Sequence, residues 1–301
     1  MQIDPWWKAE ACANEVLESA KITSFPVDPF HIAGTKDILC QENPSLAEGI
    51  SGCLMRVGDA FGIIYSARFQ SPGYRRFTVG HELGHYFLEG HVDQLFQHGQ
   101  SIHTSSSGFV SDDRYEQEAD AFSAALLMPK DLFRSACSQF ESGMDTVMGM
   151  SSLCEMSLTS TAIRYARLST EPVAVIVSAQ QRVVFSIMSP SLRKQRKLVW
   201  LKKGIGLPQS TLTYRFGQDA DNIAYARTAT GESTLEDWFE GPDTELKEDV
   251  IGLGSYGRVL TVLSAESLPD PDETFTRSDD RTDDEAESLL PSQRFYQRTR
   301  Y

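Results

Sequence analysis

The chain has no pair of cysteines at CxxC spacing. Its five cysteines, Cys12, Cys40, Cys53, Cys137 and Cys154, are odd in number and widely spread. That argues against a disulfide framework and against a thiolate zinc knuckle, and it makes a reducing cytoplasm the expected setting. No apolar run approaches the roughly 18 residues that cross a bilayer, and the opening MQIDPWWKAEACANEV has no signal-peptide pattern. Neither a membrane nor a secreted protein is expected. Internal repeats are missing too. Positive charge is scarce: 28 Lys and Arg stand against 42 Asp and Glu, a net charge of −14. The balance disfavours direct nucleic-acid binding by the whole molecule and suits a basic partner. Core-forming material is not lacking. With 41% hydrophobic and 10% aromatic residues over 301 positions, two domains and a tail are expected, not disorder.

Periodicity gives the organisation. Residues 8–20 carry helical apolar spacing, and FPVDPFHIA then interrupts with two prolines before a second short helix. Residues 50–67 read as two strands joined around Val57-Gly58-Asp59. A strongly periodic helix over 74–89 can end at Gly90, and Ser105-Ser106-Ser107-Gly108 reads as loop. Another helix covers 113–128, where Pro129 stops it and opens the next. Residues 144–168 look compact and helical. From 172 the chain turns β-rich, with PVAVIVS and RVVFSIM as a hairpin about Ala179-Gln180-Gln181 and further strands at LTYRF and RVLTVLS. The segment from Ile251 to Gly257 has neither a Walker lysine nor Rossmann spacing and reads as turns leading into a strand. From 266 onward ten acidic residues precede Leu289 against two arginines, a pattern of disorder.

Chemistry is concentrated in His81-Glu82-Leu83-Gly84-His85. Positions i and i+4 of a helix lie one above the other, so both imidazoles can reach one cation at about 2.0–2.1 Å. Glu82 stands one residue round, beside the cation without binding it, where a general base can take a proton from the attacking water. Zinc is the default metal for such a donor set. Phe77, Val79, Leu83 and Phe87 are available for packing, while Gly80 and Gly84 leave room for another element to come close. A buried structural zinc would normally be closed by cysteines, and none is near in sequence.

A catalytic zinc needs a third protein ligand. His91 lies ten residues beyond His81, where the extended HExxHxxGxxH pattern places its third histidine. That pattern turns the chain at a glycine, and here the residue is Leu88, with Gly90 too late for the same turn. Glu116 and Glu118 remain. Two residues apart on a helix, they point about 200° from one another, so only one can face the metal. Asp120 shares the face of Glu116 and can accept from the free ring nitrogen of a ligating histidine, whereas Glu118 shares its side with Phe122 and Ala125. Glu116 is therefore the chosen ligand, with His81 and His85. One coordination position stays open for water.

FTVGHELGHYFL, followed some thirty residues on by EQEADAFSAALLMP, resembles the ImmA/IrrE family of metallo-endopeptidases. VDPFHIA and the strands of ISGCLMRV and AFGIIYSA resemble the family's N-terminal part, so the likeness covers about residues 8–140. The family's ExxA(N/D)xFAxxLLMP helix supplies an acidic ligand that falls on Glu116, in agreement with the facing argument. Ser123 stands where Ala is commoner, with no chemical consequence expected.

The resemblance implies an α+β fold: a zincin-like metallopeptidase domain over 1–142 and a helical connector over 143–170. The β-rich pattern then covers 171–265, where relatives suggest a GAF-like sensor or regulatory domain, and composition marks 266–301 as an acidic, disordered tail. The resemblance also implies a zinc endopeptidase, with manganese as the alternative metal, acting in stress response or mobile-element control. Its protein substrate would be a DNA-binding helix-turn-helix repressor. A rival reading is a regulator that binds and displaces a repressor without cutting, its zinc site structural or vestigial. A second rival is DNA binding through 151–168, with Arg164 and Arg167, and the basic run Arg193-Lys194-Gln195-Arg196-Lys197; two arginines are a sparse footprint for DNA. His98, His103, Tyr86 and Tyr115 are candidates for oxyanion donors, though packing or surface roles are the better expectation for each. His31 is read as structural, and Trp200, Trp238 and Phe239 as core. An extended substrate is expected to add to an edge of the strands over 50–67.

Overall fold

The computed structural model describes residues 5–68, 71–106, 113–195 and 198–268. Most of the expected acidic tail, Ser107-Gly108 of the expected loop, and Arg196-Lys197 of the basic run lie outside the described residues, as does the side chain of His98. The chain forms two compact units. Among the described residues, one holds those up to Cys137 together with Met150–Ser160, and the other holds Ser138–Gly149 and those from Thr161 to Leu268. Among the described residues no helix is long and apolar enough to cross a membrane.

In the first unit, α1 (Pro5–Ser19) begins three residues before its expected start, because proline is tolerated at the head of a helix. Asp28 accepts from the Phe30 amide and starts α2 (Pro29–Gly34). A four-stranded sheet follows, built from β1 (Leu39–Asn43), β2 (Ile50–Val57), β3 (Ala60–Ser66) and β4 (Ile102–Ser106) in the order β1-β3-β2-β4. Gly58, at φ 62, makes the turn between β2 and β3. Two expectations are corrected here. Ser105 and Ser106 are strand and not loop, since backbone pairing to β2 recruits a polar segment with no apolar alternation. The β2–β3 hairpin has no free edge either: β1 covers β3 and β4 covers β2.

Four helices complete the unit: α3 (Pro72–Phe87), α4 (His91–Leu95), α5 (Arg114–Leu127) and α6 (Lys130–Cys137). Ala9, Ala13, Leu54, Ile63, Val79, Leu83, Phe122, Ala125 and Leu126 form one buried core where α1, α3, α5 and the sheet meet. Gly90 does not end α3. Leu88 caps it, and Gly90, at φ 82, instead starts α4.

Helices α7 (Met144–Cys154) and α8 (Leu158–Leu168) each pass from one unit into the other. Arg164 of α8 is only 2% exposed, which removes half of the arginine footprint the DNA-binding reading requires.

The second unit holds a five-stranded antiparallel sheet of β5 (Val173–Ala179), β6 (Arg182–Met188), β7 (Thr228–Thr234), β8 (Glu245–Gly252) and β9 (Val259–Ser264). Their order is β6-β5-β9-β8-β7. Four short helices accompany it: α9 (Pro190–Arg193), α10 (Leu212–Phe216), α11 (Ala220–Ala224) and α12 (Leu235–Phe239). LTYRF is thus helix, against expectation. Its alternating apolar residues mimic a strand, but Thr211 accepts from the Tyr214 amide and caps a turn. Ile176, Leu246 and Leu263 pack with Trp238 and Phe239, while Trp200 is partly buried against them. The molecule is an α+β protein.

Candidate metal centre

Helix α3 carries His81, Glu82 and His85, all buried. Ser71 precedes it and Pro72 opens it, a favourable start for a helix. Its two glycines face α5. A Cβ on Gly80 would stand 2.5 Å from Ser123 Oγ, and one on Gly84 would stand 3.0 Å from the Ala119 Cα. The two helices therefore touch nearly backbone to backbone, close enough for acidic side chains of α5 to reach the imidazoles of α3. Ser123 has a role that the sequence did not show: its hydroxyl donates to the Phe77 carbonyl at 2.8 Å and ties α5 to α3.

Asp113 caps α5 by accepting from the Tyr115 amide, which sets the phase of the helix. Glu116 then lies against both histidines, with Oε2 at 3.3 Å from His81 Nε2 and Oε1 at 3.3 Å from His85 Nε2. The two Nε2 atoms are 3.0 Å apart. Among the described residues, His81, His85 and Glu116 form the group of donors able to hold a cation. The spacing fits one: a tetrahedral ion bonded at about 2.0–2.1 Å sets its donor atoms roughly 3.3 Å apart. Asp120, one turn on from Glu116, accepts from His81 Nδ1 at 2.8 Å, the geometry that turns Nε2 towards a metal.

Electrostatics match a cation site. Burial raises Glu116, but hydrogen bonds from His103, His81 and His85 outweigh it and hold the carboxyl far below its ordinary range. Burial lowers His85 to about 3, so it presents a lone pair. His81 also feels burial, yet hydrogen bonds to Asp120 and Glu116 prevail and raise it well above its ordinary value. Facing nitrogens at 3.0 Å can hold one proton or one metal ion between them. Burial pushes Asp120 up to about 6, with the His81 hydrogen bond pulling the other way.

Glu82 is different in kind. It is fully buried and neither carboxylate oxygen has a hydrogen-bond partner. Burial raises it to about 7, against the pull of His81, the Ser105 hydroxyl and His103. Strand β2 makes room for it: a Cβ on Gly52 would lie 2.6 Å from Thr78 Cγ2 and 3.0 Å from Glu82 Oε1. A carboxylate titrating near neutrality and left unpaired is suited to exchanging protons with whatever enters.

Several residues join the centre that sequence reasoning set aside. His103 of β4 places Nε2 at 3.0 Å from Glu116 Oε1, and its ring lies 4.7 Å from that of His85. Its signal was weak, one histidine in a polar strand. His91 is buried, with Nδ1 at 3.1 Å from His85 Nδ1 and Nε2 at 3.0 Å from Glu118. Tyr115 packs edge-on against His91, and Tyr86 against Phe61. His31 lies on α2, away from the cluster in sequence and in partners.

An HExxH helix with a glutamate supplied by a neighbouring helix defines a metallopeptidase-like domain with a site for a metal ion. Residues 45–165 match the family model of the IrrE N-terminal-like domain, Peptidase_M78. Among solved structures the chain is similar to a Mycobacterium tuberculosis transcriptional regulator. The identity is 13% over 88% of this chain and 77% of that one, with a TM-score of 0.53, so the likeness concerns the fold alone. No curated protein matches the chain.

Proposed function

We propose that the chain is a zinc-dependent endopeptidase that hydrolyses a peptide bond of a protein substrate, with a helix-turn-helix repressor as that substrate and stress response or mobile-element control as its setting. The observation that carries the reading is Glu82, buried, unpartnered and raised to about 7 beside the His81–His85–Glu116 donor set. In this reading those three residues hold the metal, with manganese as the alternative to zinc, and Asp120 orients His81. A bound zinc ion supplies Lewis acidity at the scissile carbonyl and acidifies the attacking water.

The chain's own residues do the rest. Glu82 accepts a proton from the attacking water and delivers it to the leaving amine. β4 pairs with β2 on one side and carries His103 and Ser105 to the site, so an extended peptide lying along its other side would reach Glu82. The β-rich unit is assigned a regulatory or substrate-recruiting role, on its five-stranded antiparallel sheet.

The test is incubation of wild-type and Glu82→Gln protein, each with measured metal content, with helix-turn-helix proteins encoded nearby, read by intact mass. A discrete cut made only by wild type supports the proposal. Cleavage persisting in Glu82→Gln overturns the mechanism. Unchanged partner masses with a stable complex favour the non-cleaving regulator.

A further inference from the structure

Beyond the three donors, a line of polar contacts leaves the centre on the side away from Asp120. His85 Nδ1 lies 3.1 Å from His91 Nδ1, His91 Nε2 lies 3.0 Å from Glu118 Oε2, and Arg114 Nε donates to Glu118 Oε1 at 2.6 Å. His85, His91 and Glu118 are buried, while the Arg114 side chain is 62% exposed. The proton positions follow from these contacts. If His85 Nε2 offers its lone pair to a metal, Nδ1 carries the hydrogen and donates it to His91 Nδ1. His91 must then carry its own hydrogen on Nε2, and that hydrogen points at Glu118.

We infer that His91, held by Glu118 and Arg114, is the positioning residue for His85: it fixes the tautomer and ring plane of that ligand as Asp120 does for His81. The inference rests on the reading of His81, His85 and Glu116 as a metal site. Local sequence explains how His91 comes to stand there. Leu88, whose amide donates the last helical hydrogen bond to the Gly84 carbonyl, stops α3 by turning extended at ψ 129, and Gly90, at φ 82, turns the chain back. The turn brings His91 to the far nitrogen of His85 rather than to the face where the donors converge. Glu118, on the opposite side of α5 from Glu116, closes the line. A neutral imidazole between ligand and carboxylate gives His85 a weaker electron push than His81 receives from a direct carboxylate, so the two ligands are not equivalent.

The test measures metal affinity of the full chain by chelator competition, together with the visible absorption of bound Co2+. His85→Ala checks the underlying site and should abolish binding at the centre. His91→Phe keeps a ring of similar size beside Tyr115 but offers no acceptor; it should weaken metal binding about 10–100-fold and alter the Co2+ spectrum. His91→Asn keeps an acceptor near the Nδ1 position and should recover most of the loss. Wild-type affinity and an unchanged spectrum in folded His91→Phe would overturn the inference while leaving the metal site standing. If His85→Ala binds metal as wild type does, the metal-site reading falls and the positioning role with it. Should His91→Phe fail to fold by circular dichroism, Glu118→Gln probes the next link; a shift of a few-fold in affinity is expected, and none would overturn the inference.

Discussion

Each unit buries acidic side chains, and Glu82 of the first is treated unlike Glu248 and Asp249 of the second. In the second unit Glu248 of β8 is fully buried, and its Oε1 accepts from both the amide and the hydroxyl of Thr213, each at 2.6 Å, while its Oε2 has no partner. Its neighbour Asp249 accepts from Thr230 at 2.7 Å and pairs with Lys247 at 3.3 Å. In the first unit neither oxygen of Glu82 has a close hydrogen-bond partner, and the Ser105 hydroxyl pulls on it only weakly. Burying a carboxylate is costly unless hydrogen bonds or charges compensate it. At Glu248 and Asp249 the compensation ties a short helix and an edge strand to the sheet. At Glu82 most of it is withheld, as the proposed exchange of protons with a reacting partner requires.

The comparison can be broken most forcefully at Glu82. Glu82→Gln should reduce peptide cleavage by about 10²–10⁴-fold, the usual worth of general acid–base catalysis, with metal content unchanged. His85→Ala should lose both the metal and the cleavage. Metal analysis beside a cleavage assay separates the two variants, and comparable metal loss in both would remove the distinction drawn between base and ligand.

Next in size are the opposite stability effects of neutralising the two buried glutamates. Glu82 rises from 4.5 unfolded to about 7 folded. Between those values the folded state holds a proton that the unfolded state has released, so stability is fully present below about 4.5 and is lost as pH rises through 7. In metal-stripped protein Glu82→Gln should therefore stabilise above pH 7, by up to about 3 kcal/mol, and flatten the pH dependence of the thermal midpoint. Glu248→Ala should destabilise by about 1–3 kcal/mol at neutral pH, because it strands the Thr213 donors. Two shifts of the same sign would contradict the contrast. With a metal bound, the nearby cation would favour the carboxylate, so the acid limb of any cleavage activity should fall below the metal-free value of Glu82.

Smaller effects follow from the tight contacts. Gly80→Ala drives a methyl into Ser123 and should cost about 1–3 kcal/mol while loosening the α3–α5 contact. Gly52→Ala presses on Thr78 and Glu82, and its signature would be a larger loss in cleavage than in thermal midpoint. Smallest is Arg114→Ala, which removes a largely exposed partner of Glu118 and should change metal affinity by no more than a few-fold.

What the sequence reveals of this site is whatever repeats along a helix. The i, i+4 spacing brings His81 and His85 together, and the opposed directions of Glu116 and Glu118 send one to the donors and the other elsewhere. Gly80 and Gly84 announced a close neighbour, which is α5. The strands at 50–57, 60–66 and 173–188 were legible from alternation and turn residues. Contacts that depend on three-dimensional return were not. His91 and Glu118 are 27 residues apart and meet across a turn whose direction is set by Gly90. β4 joins the sheet by backbone pairing, helped by the Ser51 hydroxyl donating to the Ser105 carbonyl, so neither its occupation of the β2 edge nor His103 at the site left a mark in the apolar pattern.

Helix α5 holds both imidazoles of α3 by their outer nitrogens, Asp120 reaching His81 directly and Glu118 reaching His85 through His91. A small rotation of that helix would improve one grip only by spoiling the other. The two histidines are therefore mutationally entangled: losses from Asp120→Asn and Glu118→Gln should not add, and their coupling measures how rigidly one helix clasps the pair.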